Sequence, residues 1–207
     1  VTRSNKILDT TDMLFGFPTS IYTSLTFQYG TEQPLHRDTP VFRTSPEKFY
    51  FGVWVALEDA NLENGCLKAL SGAHRGCDVC QYEWLKKNFP YLKSVKPSGE
   101  DVWSGYQDEV IKKCLSEGFT ETMIEAKKGD VVIWHPQLPH GGSKILNPEK
   151  TRTSVVYHVV PERVPVYQAD VFFDKSRMNE SAISNRNYYT FEGREFMCTS
   201  LPGFGAN

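Results

Sequence analysis

The sequence predicts an all-β core, a sandwich or a barrel, with its helices gathered in one insert. Three observations carry this. Short segments rich in β-branched and aromatic residues recur along the chain, bounded by Gly, Pro or Asn-Gly. Apolar residues at helical spacing stand out only within residues 77–120. Strands and helices do not alternate as βαβ units, which argues against a doubly wound parallel sheet.

Taken in order, "SIYTSLTFQYG" (20–30) reads as a strand that ends at a glycine. "KFYFGVWVALEDA" (48–60) is a longer, mostly apolar strand, expected to be buried on both faces. "NLENGCLKALSGAHR" carries an Asn-Gly turn and then a short strand. "CQYEWLKKNFPYL" and "YQDEVIKKCLSEG" are the two helices of the insert, the second stopped at Gly118. "TETMIEAKKGDVVIWHP" and "TRTSVVYHVVP" return to strand character on either side of a Gly- and Pro-containing loop, "QLPHGGSKILNPEK". From Val164 onward the pattern is aromatic and polar without a period, expected either to cap the core or to form an arm.

Composition narrows the function classes. The chain has 207 residues, 40% hydrophobic and 13% aromatic, which suits a single domain over 1–207. Its net charge of −2, with both signs interspersed and no basic block, gives nucleic-acid binding no support. No apolar run approaches the roughly 20 residues of a membrane span. A small-molecule substrate is the expected partner. The five cysteines, Cys66, Cys77, Cys80, Cys114 and Cys198, do not form a disulfide framework, so a reducing, cytoplasmic location is expected. Cys77-x-x-Cys80, with His74 and Cys114 as recruits, is a weak zinc candidate against the plainer reading of free thiols. The chain begins at Val1, and an N-terminal part is expected to be missing from it.

The chemistry is concentrated around "PLHRDTP" (34–40). In extended backbone, residues two apart project to one face, so His36 and Asp38 bring an imidazole nitrogen and a carboxylate oxygen together. Those are two parts of a 2-His-1-carboxylate triad, which leaves open positions on Fe(II). Among the later histidines, His140 is favoured as the third ligand because it follows a strand and precedes Gly141 and Gly142, which permit close approach. His135 is its rival, while His158 reads as a core or sheet-face histidine and His74 lacks a strand partner. Arg152, twelve residues after His140 at the start of a strand, could hold a carboxylate in bidentate fashion, with Ser154 adding a hydroxyl from the same side. Taken alone, each of these residues has a bland reading: a solvated turn for the His-Arg-Asp, and a surface salt bridge for Arg152.

The combination resembles the phytanoyl-CoA dioxygenase family of Fe(II)- and 2-oxoglutarate-dependent oxygenases. The matching pieces are "GTEQPLHRD", "GVWVALEDANLENGCLKALSGAHR", "KKGDVVIWHPQLPHGGS" and "NPEKTRTSVVYHVV". The resemblance implies a double-stranded β-helix, a jelly-roll or cupin-like barrel, with the helical insert and possible flanking helices. It implies that His36, Asp38 and His140 bind the catalytic Fe(II), and that Arg152 binds the distal carboxylate of 2-oxoglutarate. It matches Trp54 with the tryptophan lining the co-substrate site and Ser143 with the hydroxyl after the second histidine, with Gln28 as a further co-substrate candidate.

The implied reaction is O2-dependent hydroxylation of a small organic metabolite with release of succinate and CO2. Asp38 disfavours halogenation, which needs a small residue in its place. Only 35 residues precede His36, fewer than family members usually have. Two rival classes stand beside this reading: a metal-dependent cupin-like isomerase or hydrolase, and a binding protein that keeps a vestigial barrel. Arg43 is a candidate for anionic-substrate recognition, with a solvated arginine as the plainer reading. Trp84, Trp103 and Tyr106 of the insert are expected to form a lid or a satellite core.

Overall fold

In the computed structural model, residues 5–93, 100–167, 169–178, 187–191 and 193–198 are described. In chain order the elements begin with α1 (Asn5–Phe15), β1 (Thr19–Phe27), β2 (Arg43–Thr44), β3 (Phe51–Ala56) and β4 (Leu67–Leu70). The insert follows as α2 (Gln81–Asn88) and α3 (Glu100–Ser116). Then come β5 (Glu121–Ile124), β6 (Val131–Trp134), β7 (His140–Gly142), β8 (Ser154–Pro161) and β9 (Val166–Tyr167). The tail adds α4 (Ala169–Phe173), β10 (Asn187–Phe191) and β11 (Arg194–Cys198).

The larger sheet is antiparallel in the order β1-β8-β3-β6, and a smaller one has the order β5-β4-β7. The architecture is therefore mostly β sheet with a few helices, as the strand pattern predicts. β3 is buried on both faces, as its apolar run requires. Val53 and Val55 pack outward against Ile7 and Leu8 of α1 and Val155, Tyr157 and Val159 of β8. Trp54 and Ala56 point the other way, into a cluster with Cys66, Leu67 and Trp134 that joins the two sheets. Each large apolar side chain so buried contributes about 1.5–3 kcal/mol.

α1 differs from the expectation, which began the chain with strands. Its buried stripe is Ile7, Leu8 and Thr11, and the third member is polar. Thr11 is satisfied there by the Thr19 hydroxyl at 2.7 Å. Asp12 accepts from both the backbone N–H and the hydroxyl of Thr19, which fixes the start of β1. The tail is a cap rather than an arm over its described part. β11 sends Phe196 into the outer cluster, and Arg194 pairs with Asp9 and with Asp12 of α1.

Within the insert, Val102, Tyr106, Val110 and Cys114 recur every fourth residue along α3 and build a second core with Leu70, Phe172 and Phe173. Trp84 packs against this core, so for Trp84 and Tyr106 the satellite-core reading holds. Among the described residues no helix is long and apolar enough to cross a membrane.

Candidate metal centre

Two segments distant in sequence meet to form the site. His36 lies on an isolated bridge to His140 of β7, with His36 N–H donating to the His140 carbonyl at 2.9 Å and the reverse bond at 3.0 Å. The His-Arg-Asp segment thus pairs with the smaller sheet and does not continue β1. His140 itself stands on a short strand where the sequence reads as a loop. The two glycines after it make the approach possible. A Cβ at Gly141 would lie 2.4 Å from the Gln33 carbonyl oxygen, and one at Gly142 would lie 3.0 Å from the Glu32 nitrogen.

His36, Asp38 and His140 are the described group whose ligand atoms could hold a metal ion, all within 4.8 Å of one another. Asp38 Oδ1 lies 3.8 Å from His36 Nε2 and 3.7 Å from His140 Nε2. Both imidazoles are oriented by their other nitrogen: His36 Nδ1 is 2.9 Å from the Pro34 carbonyl oxygen, and His140 Nδ1 is 2.9 Å from that of Leu138. With Nδ1–H donated to a carbonyl, Nε2 carries the lone pair that a metal takes.

The charge states agree with that use. Burial lowers the His140 pKa to about 4, against the attraction of Asp38, so the ring is neutral at pH 7. For Asp38, burial favours the neutral acid, but His140, His158 and His36 together hold the carboxyl well below the usual carboxylate range. A neutral imidazole and an ionised carboxylate are the forms that bind a divalent ion.

Two partners of Asp38 were not legible as such in the sequence. Trp134 Nε1–H donates to Asp38 Oδ2 at 2.7 Å, and His158 Nε2 lies 3.4 Å from the same oxygen. His158 is buried on β8 among Phe42, Tyr22 and Tyr50, so it is a sheet-face histidine that also touches the centre. His135 lies elsewhere. Its ring is 5.7 Å from that of His74, its Nδ1 accepts from Gln137 N–H, and burial followed by His74, Lys48 and Arg37 lowers its pKa to about 4.

Arg37, between His36 and Asp38, is buried and donates to the carbonyls of Ala73, Gly76 and Cys77. Its backbone exchanges hydrogen bonds with the Gln107 amide of α3, at 2.9 and 2.7 Å. The insert is therefore fastened to the segment that carries His36 and Asp38. Trp103, one turn before Gln107, sets its indole 5.9 Å from the His36 ring.

A second buried pocket of polarity surrounds Arg152, which is 2% exposed. Its Nη1 donates to the Gly65 carbonyl at 2.9 Å, its guanidinium lies 5.6 Å over the Trp54 ring, and its Nε has no hydrogen-bond partner. The Asn-Gly turn is what places that carbonyl: Asn64 donates to the carbonyls of Asp59 and Thr151, and Gly65 takes a φ of 78°. Glu58 accepts from Thr151 and from Thr153 N–H, fixing the chain on both sides of Arg152. Ser154 Oγ and Trp54 Nε1 are buried without partners. Ser143 is buried with its hydroxyl 3.5 Å from the Cys66 sulfur.

Two expectations are corrected, those for Gln28 and Arg43. Gln28 lies one residue past β1, exposed, and only its carbonyl serves the site, by accepting from Arg152 N–H at 2.8 Å. On the strand the inward residue is Phe27, opposite Ser154. Arg43 neither faces solvent nor is free for a ligand: it is buried and bonded to Tyr82, the Val171 carbonyl and Glu47. Cys77 gives its S–H to Glu117 at 3.2 Å, and burial raises its pKa; Cys80 is exposed. Both thiols are free, which is the plainer of the two readings of the Cys77-x-x-Cys80 pair.

A sequence model of the family described as "Phytanoyl-CoA dioxygenase (PhyH)" matches residues 5–154, which contain the two histidines, Asp38 and Arg152. The chain belongs to the phytanoyl-CoA dioxygenase family. Members similar to it include the peroxisomal phytanoyl-CoA dioxygenase of Homo sapiens, 28% identical over 55% of this chain and 29% of that protein. The phytanoyl-CoA dioxygenase domain-containing protein 1 homolog of Dictyostelium discoideum is 23% identical over 72% of this chain and 48% of that one. The chain thus spans less than half the length of these two family members.

Among solved structures, the epimerase SnoN, in complex with Fe3+, alpha-ketoglutarate and nogalamycin RO, superposes with a TM-score of 0.55 at 17% identity. The match covers 99% of this chain and 64% of SnoN. The alpha-ketoglutarate-dependent carbocyclase SnoK gives a TM-score of 0.55 at 17% identity, over 84% of this chain and 61% of SnoK. These likenesses concern the fold.

Proposed function

We propose that this chain carries the centre of an Fe(II)- and 2-oxoglutarate-dependent oxygenase, built as a double-stranded β-helix, that hydroxylates a small organic molecule. The observation that carries this reading is Arg152. It is a buried cation with no carboxylate beside it among the described residues, its Nε unpartnered and the Ser154 hydroxyl unpartnered too. A buried charge without a counter-charge is costly. A dicarboxylic co-substrate supplies the missing anion, and the planar guanidinium suits a bidentate carboxylate.

His36, Asp38 and His140 fit the metal, with two neutral imidazole nitrogens and one carboxylate oxygen facing a common point. Three protein ligands leave room for 2-oxoglutarate and O2. When bound, iron and 2-oxoglutarate supply the oxidation: O2 and 2-oxoglutarate become succinate, CO2 and the hydroxyl group of the product. The protein's part is to hold the co-substrate's far end at Arg152, to keep Trp54 and Cys66 packed around it, and to exclude water from the buried side. Trp103 lines the insert side of the centre next to His36, where substrate would enter.

The reaction class within this chemistry is the finer part of the proposal, and the names of SnoN and SnoK, an epimerase and a carbocyclase, show that similar folds carry other outcomes. Succinate formation from 2-oxoglutarate by the Fe(II)-loaded protein, lost in Asp38→Ala, tests the reading. Metal binding without any dependence on 2-oxoglutarate would favour an isomerase or hydrolase instead.

A further inference from the structure

We propose that Trp134, with His158 beside it, fixes Asp38 as a ligand through one oxygen, and that Gly52 is what allows the indole to do so. The inference rests on the metal-binding reading above and concerns positioning residues of that centre.

The register of the larger sheet sets the arrangement. Gly52 on β3 is opposite Trp134 on β6 at one side and opposite His158 on β8 at the other. All three lie in one row across the sheet, on the face that Trp54 shares two residues along β3. A Cβ at Gly52 would fall 2.2 Å from Trp134 Cε2 and 2.4 Å from Cζ2 and Nε1. The indole therefore lies across the glycine, in a slot that any other residue fills. From that slot its N–H reaches Asp38 Oδ2 at 2.7 Å, and His158 Nε2 stands 3.4 Å from the same atom across the row without hydrogen-bonding to it.

The two carboxylate oxygens are thereby divided. Oδ2 is engaged by the protein, and Oδ1 alone faces His36 Nε2 and His140 Nε2. A carboxylate with both oxygens free can chelate a single ion. Here that would add a fourth protein donor and remove one of the positions that 2-oxoglutarate and O2 require. The same indole lies with its ring centre 4.4 Å from that of His140, the two planes tilted by 41°, which limits the rotation of a second ligand. Trp134 thus keeps the coordination positions open, a role apart from filling the core.

The test titrates metal-free protein with Co(II), and then, at saturating Co(II), with 2-oxoglutarate. Trp134→Phe keeps an aromatic ring on the same Cβ and removes the N–H together with the fused second ring. We expect 2-oxoglutarate to bind about tenfold more weakly to this variant at saturating metal, the size of effect typical for groups that orient metal ligands. Gly52→Ala, which displaces the indole, should give the same loss. A dissociation constant for 2-oxoglutarate within about twofold of wild type in folded Trp134→Phe overturns the proposal, because a bond of this kind acts at that scale. If Co(II) binding to wild type is unchanged by His140→Ala, the metal reading itself is wrong, which is a separate result. Should Trp134→Phe not fold, the wild-type protein decides. With 15N-labelled indoles, the Trp134 N–H should exchange slowly with solvent before and after Zn(II) loading, and rapid exchange rules the bond out.

Discussion

His36 and His140 exchange both backbone hydrogen bonds across an isolated bridge, although 104 positions separate them in the sequence. The backbone therefore sets the separation of the two imidazoles before any metal arrives. Their Nδ1 contacts to the carbonyls of Pro34 and Leu138 then aim both Nε2 atoms toward Asp38. On the proposed reading, a centre organised this far need not fold around a divalent ion to bind it.

Metal should accordingly stabilise the folded chain. At a free concentration about 100-fold above the dissociation constant, binding adds about 2.7 kcal/mol. For a chain of this length that is a rise in Tm of roughly 5–10 °C. His140→Ala and Asp38→Ala should abolish the rise, which differential scanning fluorimetry with Co(II) or Mn(II) would show directly.

Arg152→Ala should weaken 2-oxoglutarate binding by about 30- to 300-fold, the loss of one charge-assisted bidentate contact. Metal binding should stay within a few-fold of wild type, since Arg152 has no contact with the three ligands. Arg152→Lys should recover only part of the affinity, because an ammonium cannot form the planar fork. Calorimetric titration of each metal-loaded variant with 2-oxoglutarate measures these differences.

Arg37 is a structural prediction. Its guanidinium closes three carbonyls at the turn of Ala73, Gly76 and Cys77, and Arg37→Ala leaves them buried and unpaired. The expected cost is about 3 kcal/mol, the range for breaking a buried charge-assisted network. Urea unfolding would show a lower midpoint with little change in slope. Gln107→Leu, which cuts the fastening of α3 to the same segment, should be destabilising in the same direction.

The pH dependence follows from His135, a half-buried histidine held neutral in the fold. His135 has a folded pKa of about 4, below the ordinary value near 6.5. Between those two values the unfolded chain binds more protons than the folded one, so stability falls as pH drops from about 6.5 to about 4. His135→Gln should make that fall shallower in the metal-free protein. An unchanged slope in denaturant titrations at pH 6.5, 5.5 and 4.5 would remove His135 from the account.

Much of this was legible in the sequence, for identifiable reasons. The double burial of β3 shows in an unbroken apolar run, and the Asn-Gly turn that carries Arg152's carbonyl partner shows in the residues themselves. The glycines after His140 read as close-approach positions, which the backbone beside them bears out, and the His-x-Asp pair reads as two side chains on one face, whose donor atoms do lie together. What escaped depends on pairings between strands. Trp134 looks like an ordinary strand tryptophan until Gly52 is placed opposite it, and His158 looks like a core histidine until β8 lies beside β3. Arg37 reads as surface because its acceptors are backbone carbonyls, which any sequence supplies. α1 was hidden by Thr11, a polar residue in a buried stripe whose partner, Thr19, lies on the next element.

The most direct test of the central claim is an anaerobic titration of the purified protein with Fe(II) and then 2-oxoglutarate, followed by visible absorption. The account predicts a weak metal-to-ligand charge-transfer band that appears only when both are present and is lost in His140→Ala. Iron binding with no such band on adding 2-oxoglutarate would contradict it, and would mean that Arg152 serves some other anion.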